Sequence, residues 1–552
     1  MSMDLEALRK KFSGDVAVDK ESIETASRDA SLFKVCPEVV VYPKDTNDIA
    51  ALVCFAQEQK EAGNEVSLTA RSAGTDMTGG PLGESVIVDM TRYLNHMGEI
   101  TKEAATAEPG VYYRDFERAT KKLSRIMPSY PASKNLCTVG GMVANNSGGE
   151  KTLIYGKTNR YVRSLDVVLA NGKTYTFNKL SLEALKKKKR LRSFEGEVYR
   201  KTHALLEKNY ELIQSARPKV SKNSAGYALW DVYDKDAKTF DLTQLFTGSQ
   251  GTLGFITGTT FSLVETRPHS RMLVIFLKDT KELAGLVEHV LRFKPESFES
   301  YDDHTFEIAL KYFPELVRQM KGGVIKLGIQ FLPEFWKVMV GGIPKLVLIA
   351  EFTARTEREA EEQALAAAAD IASFDFQTHV TRSEEEGEKY WTMRRESFNL
   401  LRKHVRGRRT APFIEDLTVA PEHLPDFLPR LYNILEKYED KMTYTVAGHV
   451  GDGNFHIIPL MDFSDESALA VIPDIMEQAH ALTFSFGGSM TGEHNDGLIR
   501  SPFLEDMYGK DMYHLFEEVK KIFDPHNIFN PGKKVGATWE YAWEHINREK
   551  GK

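Results

Sequence analysis

Two histidines flank an Asp-Gly turn in TYTVAGHVGDGNFHIIPL, residues 443–460, which reads as strand, tight turn, strand. Such a hairpin can bring His449 and His456 to one side. Downstream, SMTGEHNDG at 489–497 supplies Glu493 and His494 in a glycine-bounded bend. Two neutral imidazoles and a carboxylate make a three-ligand site with open positions, suited to Zn²⁺, Mn²⁺ or Fe²⁺. The plainer alternative is that each is a satisfied core or surface residue. Adjacent residues in extended backbone point opposite ways, so with Glu493 as a ligand His494 can stay free as a base. A basic group lies in YWTMRRESFNLLRKHVRGRR, 390–409, a helical pattern with Trp391, Phe398 and Leu401 spaced for burial. Arg394 and Arg395 sit in its first turns. A guanidinium is a natural fork for a substrate carboxylate, against the simpler reading of a solvated helix face.

Three glycine clusters accompany these groups: ARSAGTDMTGG (70–80), TVGGMVANNSGGE (138–150) and TGSQGTLGFITG (247–258). Glycine lets backbone N–H groups converge on an anion. The first cluster is not the G-x-G-x-x-G fingerprint, and Gly156-Lys157-Thr158 has Lys151 where a P-loop needs glycine. Three clusters, each beside a strand, favour one extended phosphate-bearing ligand. A dinucleotide with two rings fits.

The elements that must position these groups alternate. Val39–Tyr42 reads as a strand, and an amphipathic helix follows with Asp48 as N-cap and Gly63 as stop signal. The apolar runs EVSLTA and SVIVDM flank the first glycine loop, which makes this part α/β or α+β. SLDVVLANGKTYTF carries an Asn-Gly hairpin signal at 171–172. KKKKRLR at 186–192 is either a solvated helix face or a surface for an anionic partner. After Pro268, RMLVIFL, KLVLIAEF and REAEEQALAAAADIA read as strands and helices of a second domain. The apolar, broken segment at 327–344 is core or a docking patch for a partner or membrane face.

At 552 residues the chain is long enough for more than one domain. Its 42% apolar and 27% charged residues mark an ordered soluble protein, and a net charge of −7 leaves no basic field for nucleic acid. Cys36, Cys54 and Cys137 cannot build a disulfide framework or hold an iron–sulfur cluster unaided. No apolar stretch is long enough to span a membrane, and the N-terminus lacks a secretory signal's apolar core. A cytoplasmic protein is expected, with peripheral contact at the inner membrane face left open.

In order and spacing, RSAGTDMTGG, YPAS, TVGGMVANNSGG, GSQGTLGFIT, GHVGDGNFH, TGEHNDG and NPGKK resemble the FAD-linked oxidases and dehydrogenases of the vanillyl-alcohol oxidase superfamily. Within it the match is to the D-lactate / glycolate / D-2-hydroxyglutarate dehydrogenase branch, from about Pro37 to Lys534. The resemblance implies an α+β fold. A helical lead-in (1–36) would precede a two-subdomain PCMH-type FAD-binding domain (37–267). A substrate or cap domain with antiparallel sheet and helices (268–515) would carry the metal site, and a C-terminal segment (516–552) would return to the FAD domain. Ser72, Ala73, Gly74, Thr75, Thr78, Gly79 and Gly80 would cradle the FAD pyrophosphate. Pro131, Ser133, Thr138, Gly141, Asn145, Ser147 and Gly148 would line the flavin, Gly251, Thr252 and Ile256 the adenosine half, and Asn530 would approach the isoalloxazine. Covalent-flavin relatives place a histidine in the first glycine loop; none is present here, so FAD should be held non-covalently. Gln250 stands where Glu is common, and Asn495 where Gly often follows Glu-His.

The resemblance further puts a divalent metal, Zn or Mn ahead of Fe, on His449, His456 and Glu493, and makes His494 the base. Arg394 would bind the substrate carboxylate, with Arg395 the alternative because the doublet leaves the register ambiguous by one. The implied reaction is oxidation of a D-2-hydroxy acid by hydride transfer to FAD. Rivals are an alkyl-glycerone-phosphate-synthase-like flavoenzyme and a non-catalytic flavoprotein subunit of an electron-transfer complex. Some relatives are fused to an iron–sulfur module; with no cysteine beyond Cys137, electrons are expected to pass to a separate acceptor. That acceptor would be an electron-transfer protein, an iron–sulfur subunit, a quinone or oxygen.

Overall fold

The structure is a computed structural model and describes residues 5–305, 307, 343–374, 376–404 and 407–549. The expectation for 327–344 falls, except for its last two residues, outside the described residues.

The β-branched run Val39–Tyr42 is buried at every position and forms a strand. It pairs in parallel with Val86–Asp89, which pairs in parallel with Leu68–Arg71. Asp15–Ala17 adds an antiparallel edge. The lead-in expected to be helical therefore also completes a sheet. The helix that follows Val39–Tyr42 spans Thr46–Glu61 and is capped by Asp45, not Asp48. Asp45 accepts the backbone N–H groups of Asn47 and Asp48. The Asp48 carboxylate turns instead to the lead-in, accepting from the Ser13 N–H and hydroxyl and from the Lys44 N–H. Both aspartates suit the capping pattern, and a contact 35 residues away decides between them.

A five-stranded antiparallel sheet follows, in the order Met97–Ile100, Ala104–Ala107, Phe255–Ser262, Val162–Val168, Thr174–Asn178. The last two strands close over the Asn171–Gly172 turn, where Gly172 has φ +67°. The lysine run lies on the helix Leu182–Lys189 and just after it, with Lys186 and Lys187 exposed.

The second half is built on an eight-stranded antiparallel sheet. Its central strands are His269–Leu277, Leu346–Ala354, Ser297–Asp302, Met442–His449 and Asn454–Met461. The helices Leu283–Leu291, Glu357–Asp370, Leu424–Leu435 and Ile472–Ser485 bury their apolar residues in the same core as this sheet. The helix Lys510–Phe523 then packs Met512, Phe516 and Phe523 into the core of the five-stranded sheet. Beyond it Phe529 bridges to Leu68 and Ile546 to Phe33, so the C-terminal stretch returns to the N-terminal half. The architecture is α+β. Among the described residues no helix is long and apolar enough to cross a membrane.

Candidate active site

The strands Met442–His449 and Asn454–Met461 pair across a turn in which Gly453 takes φ +66°. Its Cβ would lie 1.8 Å from the Val419 carbonyl, so only glycine closes this turn. The hairpin sets His449 and His456 with ring centroids 5.1 Å apart, and His494 stacks on the other side of His456 at 5.2 Å. Ligand atoms of His449, His456 and Glu493 all lie within 4.8 Å of one another.

The tautomers suit a cation. His449 Nδ1 pairs with Glu299 Oε1 at 2.6 Å, and His456 Nδ1 donates to the Glu415 carbonyl at 2.9 Å. Each Nε2 is thereby left as the ligand atom, and His449 Nε2 lies 3.3 Å from Glu493 Oε1. Burial, with His449 and His494 beside it, pushes the His456 pKa down to about 4, so it is a neutral imidazole at neutral pH. Burial opposes the Glu493 charge, yet Lys222 and His449 outweigh it and hold this carboxyl well below its usual range. A two-nitrogen, one-carboxylate donor set with fixed tautomers fits a divalent cation.

His494 has its own frame. Its Nδ1 pairs with Glu415 Oε1 at 3.1 Å, and Glu415 is held on its other oxygen by the fully buried Arg500. Nε2 is therefore the free nitrogen. Burial works against the His494 charge, but Asp416 and Glu415 outweigh it and raise its pKa to about 9. Asp416 accepts the backbone N–H groups of both Glu493 and His494 at 2.8 Å and the Thr491 hydroxyl at 2.7 Å, fixing the bend that carries them.

Arg394 and Arg395 project from the helix Glu384–His404 into the same cavity. Arg394 is nearly buried and bonded to Glu299, the carboxylate that also holds His449. Arg395 is 43% exposed, pairs with Glu150 at 2.6 Å and lies over the Trp391 ring. The solvated-face reading fits neither residue fully. The doublet divides, with Arg394 tied to the histidine cluster and Arg395 to the cavity rim.

The cavity, about 640 Å³, continues from these residues to the glycine clusters. Ser72, Ala73, Gly74, Thr75 and Gly80 line it, as do Pro131, Ser133, Thr138, Gly141, Asn145, Ser147, Gly148, Gly251 and Ile256. Among the described residues no protein acceptor takes the backbone N–H groups of Ser72 to Thr75. An open arc of donors beside a long cavity is what a dinucleotide pyrophosphate requires, so these residues fit FAD. The second glycine cluster is mostly helix, Val139–Asn145, capped by the Thr138 hydroxyl.

Four expected contacts lie behind the wall. Thr78 and Gly79 do not line the cavity: their N–H groups are taken by Asp76 and Asp29, as the Gly80 N–H is by Asp76. Thr252 bonds Tyr227 and the Ser249 carbonyl. Asn530 donates to the carbonyls of Gly80 and Gln250, tying the first and third clusters together. Gln250 accepts from the Gly497 N–H while its amide faces Thr78 and Asn145, a pair of roles that an ionised Glu could not fill. Asn495 sits at φ +73° and donates to the Asn145 and Gly248 carbonyls.

The sequence reading missed Lys222, Glu299, Glu415, Asp416 and Arg500. One signal was present: the acidic pair Glu415-Asp416 lies in an otherwise apolar run, PFIEDLTV. Acids there must be paired or functional.

Residues 37–178 match the family described as FAD binding domain, and residues 266–534 match FAD linked oxidases, C-terminal domain. The chain is similar to a D-2-hydroxyglutarate dehydrogenase of Escherichia coli (strain K12), 28% identical over 532 residues that cover 95% of this chain and 50% of the relative. It thus spans about half the length of this relative. It is also similar to the glycolate oxidase subunit GlcD of Bacillus subtilis (strain 168), 26% identical, covering 91% of this chain and 89% of that one. Among solved structures, an alkyldihydroxyacetonephosphate synthase shares the fold with a TM-score of 0.65 at 13% identity, over 96% of this chain and 84% of that one. With a glycine-lined cavity running onto a histidine-bearing sheet and both domain matches in sequence, the chain belongs to the FAD-linked oxidases.

Proposed function

We propose that this protein oxidises a D-2-hydroxy acid of the D-lactate, glycolate or D-2-hydroxyglutarate class to the 2-oxo acid, with FAD held non-covalently and a divalent metal on His449, His456 and Glu493. The observation that carries this reading is the convergence of the two-histidine, one-carboxylate cluster, His494 and Arg394 on the cavity whose far end is the open N–H arc of Ser72 to Thr75. When bound, FAD supplies a hydride acceptor and the cation a Lewis acid for the substrate oxygens.

The chain's own residues do the rest. Arg394 presents its guanidinium to the substrate carboxylate while Glu299 keeps the fork from turning away. His494, in its neutral form, takes the hydroxyl proton at Nε2, because Nδ1 is committed to Glu415; with a pKa of about 9 this neutral form grows as pH rises. Glu415 and Arg500, both without exposed surface, fix the plane of that imidazole. Electrons then pass to a separate acceptor, a protein, quinone or oxygen, in a cytoplasmic setting. Holding the flavin-bearing protein anaerobic and titrating D-lactate, glycolate and D-2-hydroxyglutarate tests the reading, with bound metal measured alongside. Bleaching of the flavin by a D-enantiomer and not its L-form is expected. Protein that carries no flavin, or flavin that no 2-hydroxy acid reduces, would overturn it.

A further inference from the structure

Lys222 has no exposed surface, and its ammonium lies among the groups assigned above to a cation. Its Nζ bonds Glu493 Oε1, lies 3.3 Å from Asp452 Oδ2 and 3.4 Å from the Gly149 carbonyl. An ammonium has three donors, and two carboxylates and a carbonyl use all three. Burying such a charge is costly unless it is paired, so a lysine here must serve the carboxylates around it.

The loop that carries Lys222 is set independently of Glu493. The Ser221 hydroxyl donates to the Asp452 carbonyl at 3.2 Å, and the Ser224 N–H to the Thr491 carbonyl at 3.0 Å. Lys157 donates to the carbonyls of Asn223 and Gly492 and to the Ser224 hydroxyl. The loop is sewn on one side to the turn after His449 and on the other to the bend bearing Glu493. Lys222 therefore imposes a position on Glu493 and does not merely follow it.

We propose that Lys222 is the site's internal counter-ion: it holds Glu493 and Asp452 in place before a divalent cation is loaded, and it competes with that cation for Glu493 Oε1, the oxygen that also faces His449 Nε2. This inference rests on the reading of His449, His456 and Glu493 as metal ligands. Two consequences follow from charge alone. Without Lys222, two buried carboxylates lose their cation, so the metal-free protein weakens. With the repelling ammonium gone, a divalent cation binds more tightly.

The test uses full-length, FAD-loaded protein stripped by chelator, then titrated with Mn²⁺ alone. Lys222→Met should melt earlier than wild type in chelator, regain most of that loss on adding Mn²⁺, and bind Mn²⁺ about tenfold tighter or more. Lys222→Arg should keep the wild-type melting temperature in chelator. The visible spectrum of the Co²⁺-loaded protein should change in both variants, as the grip on the Glu493 oxygen is released or altered. Equal Mn²⁺ affinity and equal chelator sensitivity in wild type and Lys222→Met would overturn the counter-ion role while leaving the metal site standing. Wild type that binds neither Mn²⁺ nor Co²⁺ would overturn the metal reading itself. Should Lys222→Met fail to fold even with Mn²⁺, Lys222→Arg decides: an altered Co²⁺ spectrum supports the role, an unchanged one ends it.

Discussion

In the proposed reaction His494 and Arg394 meet the substrate through atoms their neighbours leave free. Glu415 takes Nδ1 of His494, so Nε2 is the nitrogen left for the proton. His494→Ala should retain FAD but lower the rate of substrate-driven flavin reduction by about 10²–10⁴-fold, the usual worth of a positioned base. Stopped-flow reduction measures it, and near-normal reduction would remove His494 from the mechanism. The arginine doublet is separable in the same way. Arg394 shares Glu299 with a histidine of the cluster, whereas Arg395 is paired with Glu150 at the rim. Arg394→Met should lower kcat/KM for the hydroxy acid by about tenfold or more, and by more than Arg395→Met does. The reverse order would assign the carboxylate to Arg395.

At the scale of elements, supports that never touch a ligand should still set its affinity. Asn530 lies beyond the helix Lys510–Phe523 and joins the first glycine loop to the third through two carbonyls. Asn530→Ala orphans both, and each such loss costs about 1–3 kcal/mol when buried. FAD dissociation, followed by flavin fluorescence, should weaken by roughly tenfold or more, although the cavity wall keeps every lining side chain. The helix Thr46–Glu61 offers a paired comparison. Asp45→Ala removes an N-cap and should cost about 1 kcal/mol. Asp48→Ala strips the partner from three donors that link the lead-in and Lys44, and should cost more in urea unfolding. Equal costs would show that the lead-in contact contributes nothing.

At the scale of the whole molecule, a buried acid whose pKa is raised makes stability fall as pH rises. Burial, with Glu296 and Glu150 nearby, pushes the Glu351 pKa up to about 7. Its unfolded value is about 4.3. Below pH ~4 the group is neutral in both states and costs nothing. Between ~4 and ~7 the unfolded chain ionises first, so stability is lost through that window and the loss is complete above it. Glu351→Gln should therefore raise the urea midpoint at pH 8 and leave it nearly unchanged at pH 4. A gain of equal size at both pH values would point to packing instead of charge.

The glycine clusters, the hairpin histidines and the Glu-His doublet were legible because each is local. A turn needs glycine where φ is positive, as at Gly453, and alternation shows which faces a strand buries. Residue order alone therefore narrowed the class to α/β or α+β, pointed to a dinucleotide-sized ligand and supplied the candidate ligands His449, His456 and Glu493, while the family resemblance implied α+β and FAD. Tertiary structure decided what surrounds them. Asp45 rather than Asp48 caps its helix because Ser13 claims Asp48 from a distant segment. Thr78, Gly79, Thr252 and Asn530 brace the cavity from behind because their polar groups are already spent on protein partners. Lys222, Glu299, Glu415 and Arg500 come from four separate stretches of chain, and no spacing rule joins them. Their roles exist only where folding removes water, since a buried charge must find its opposite in space and not along the sequence.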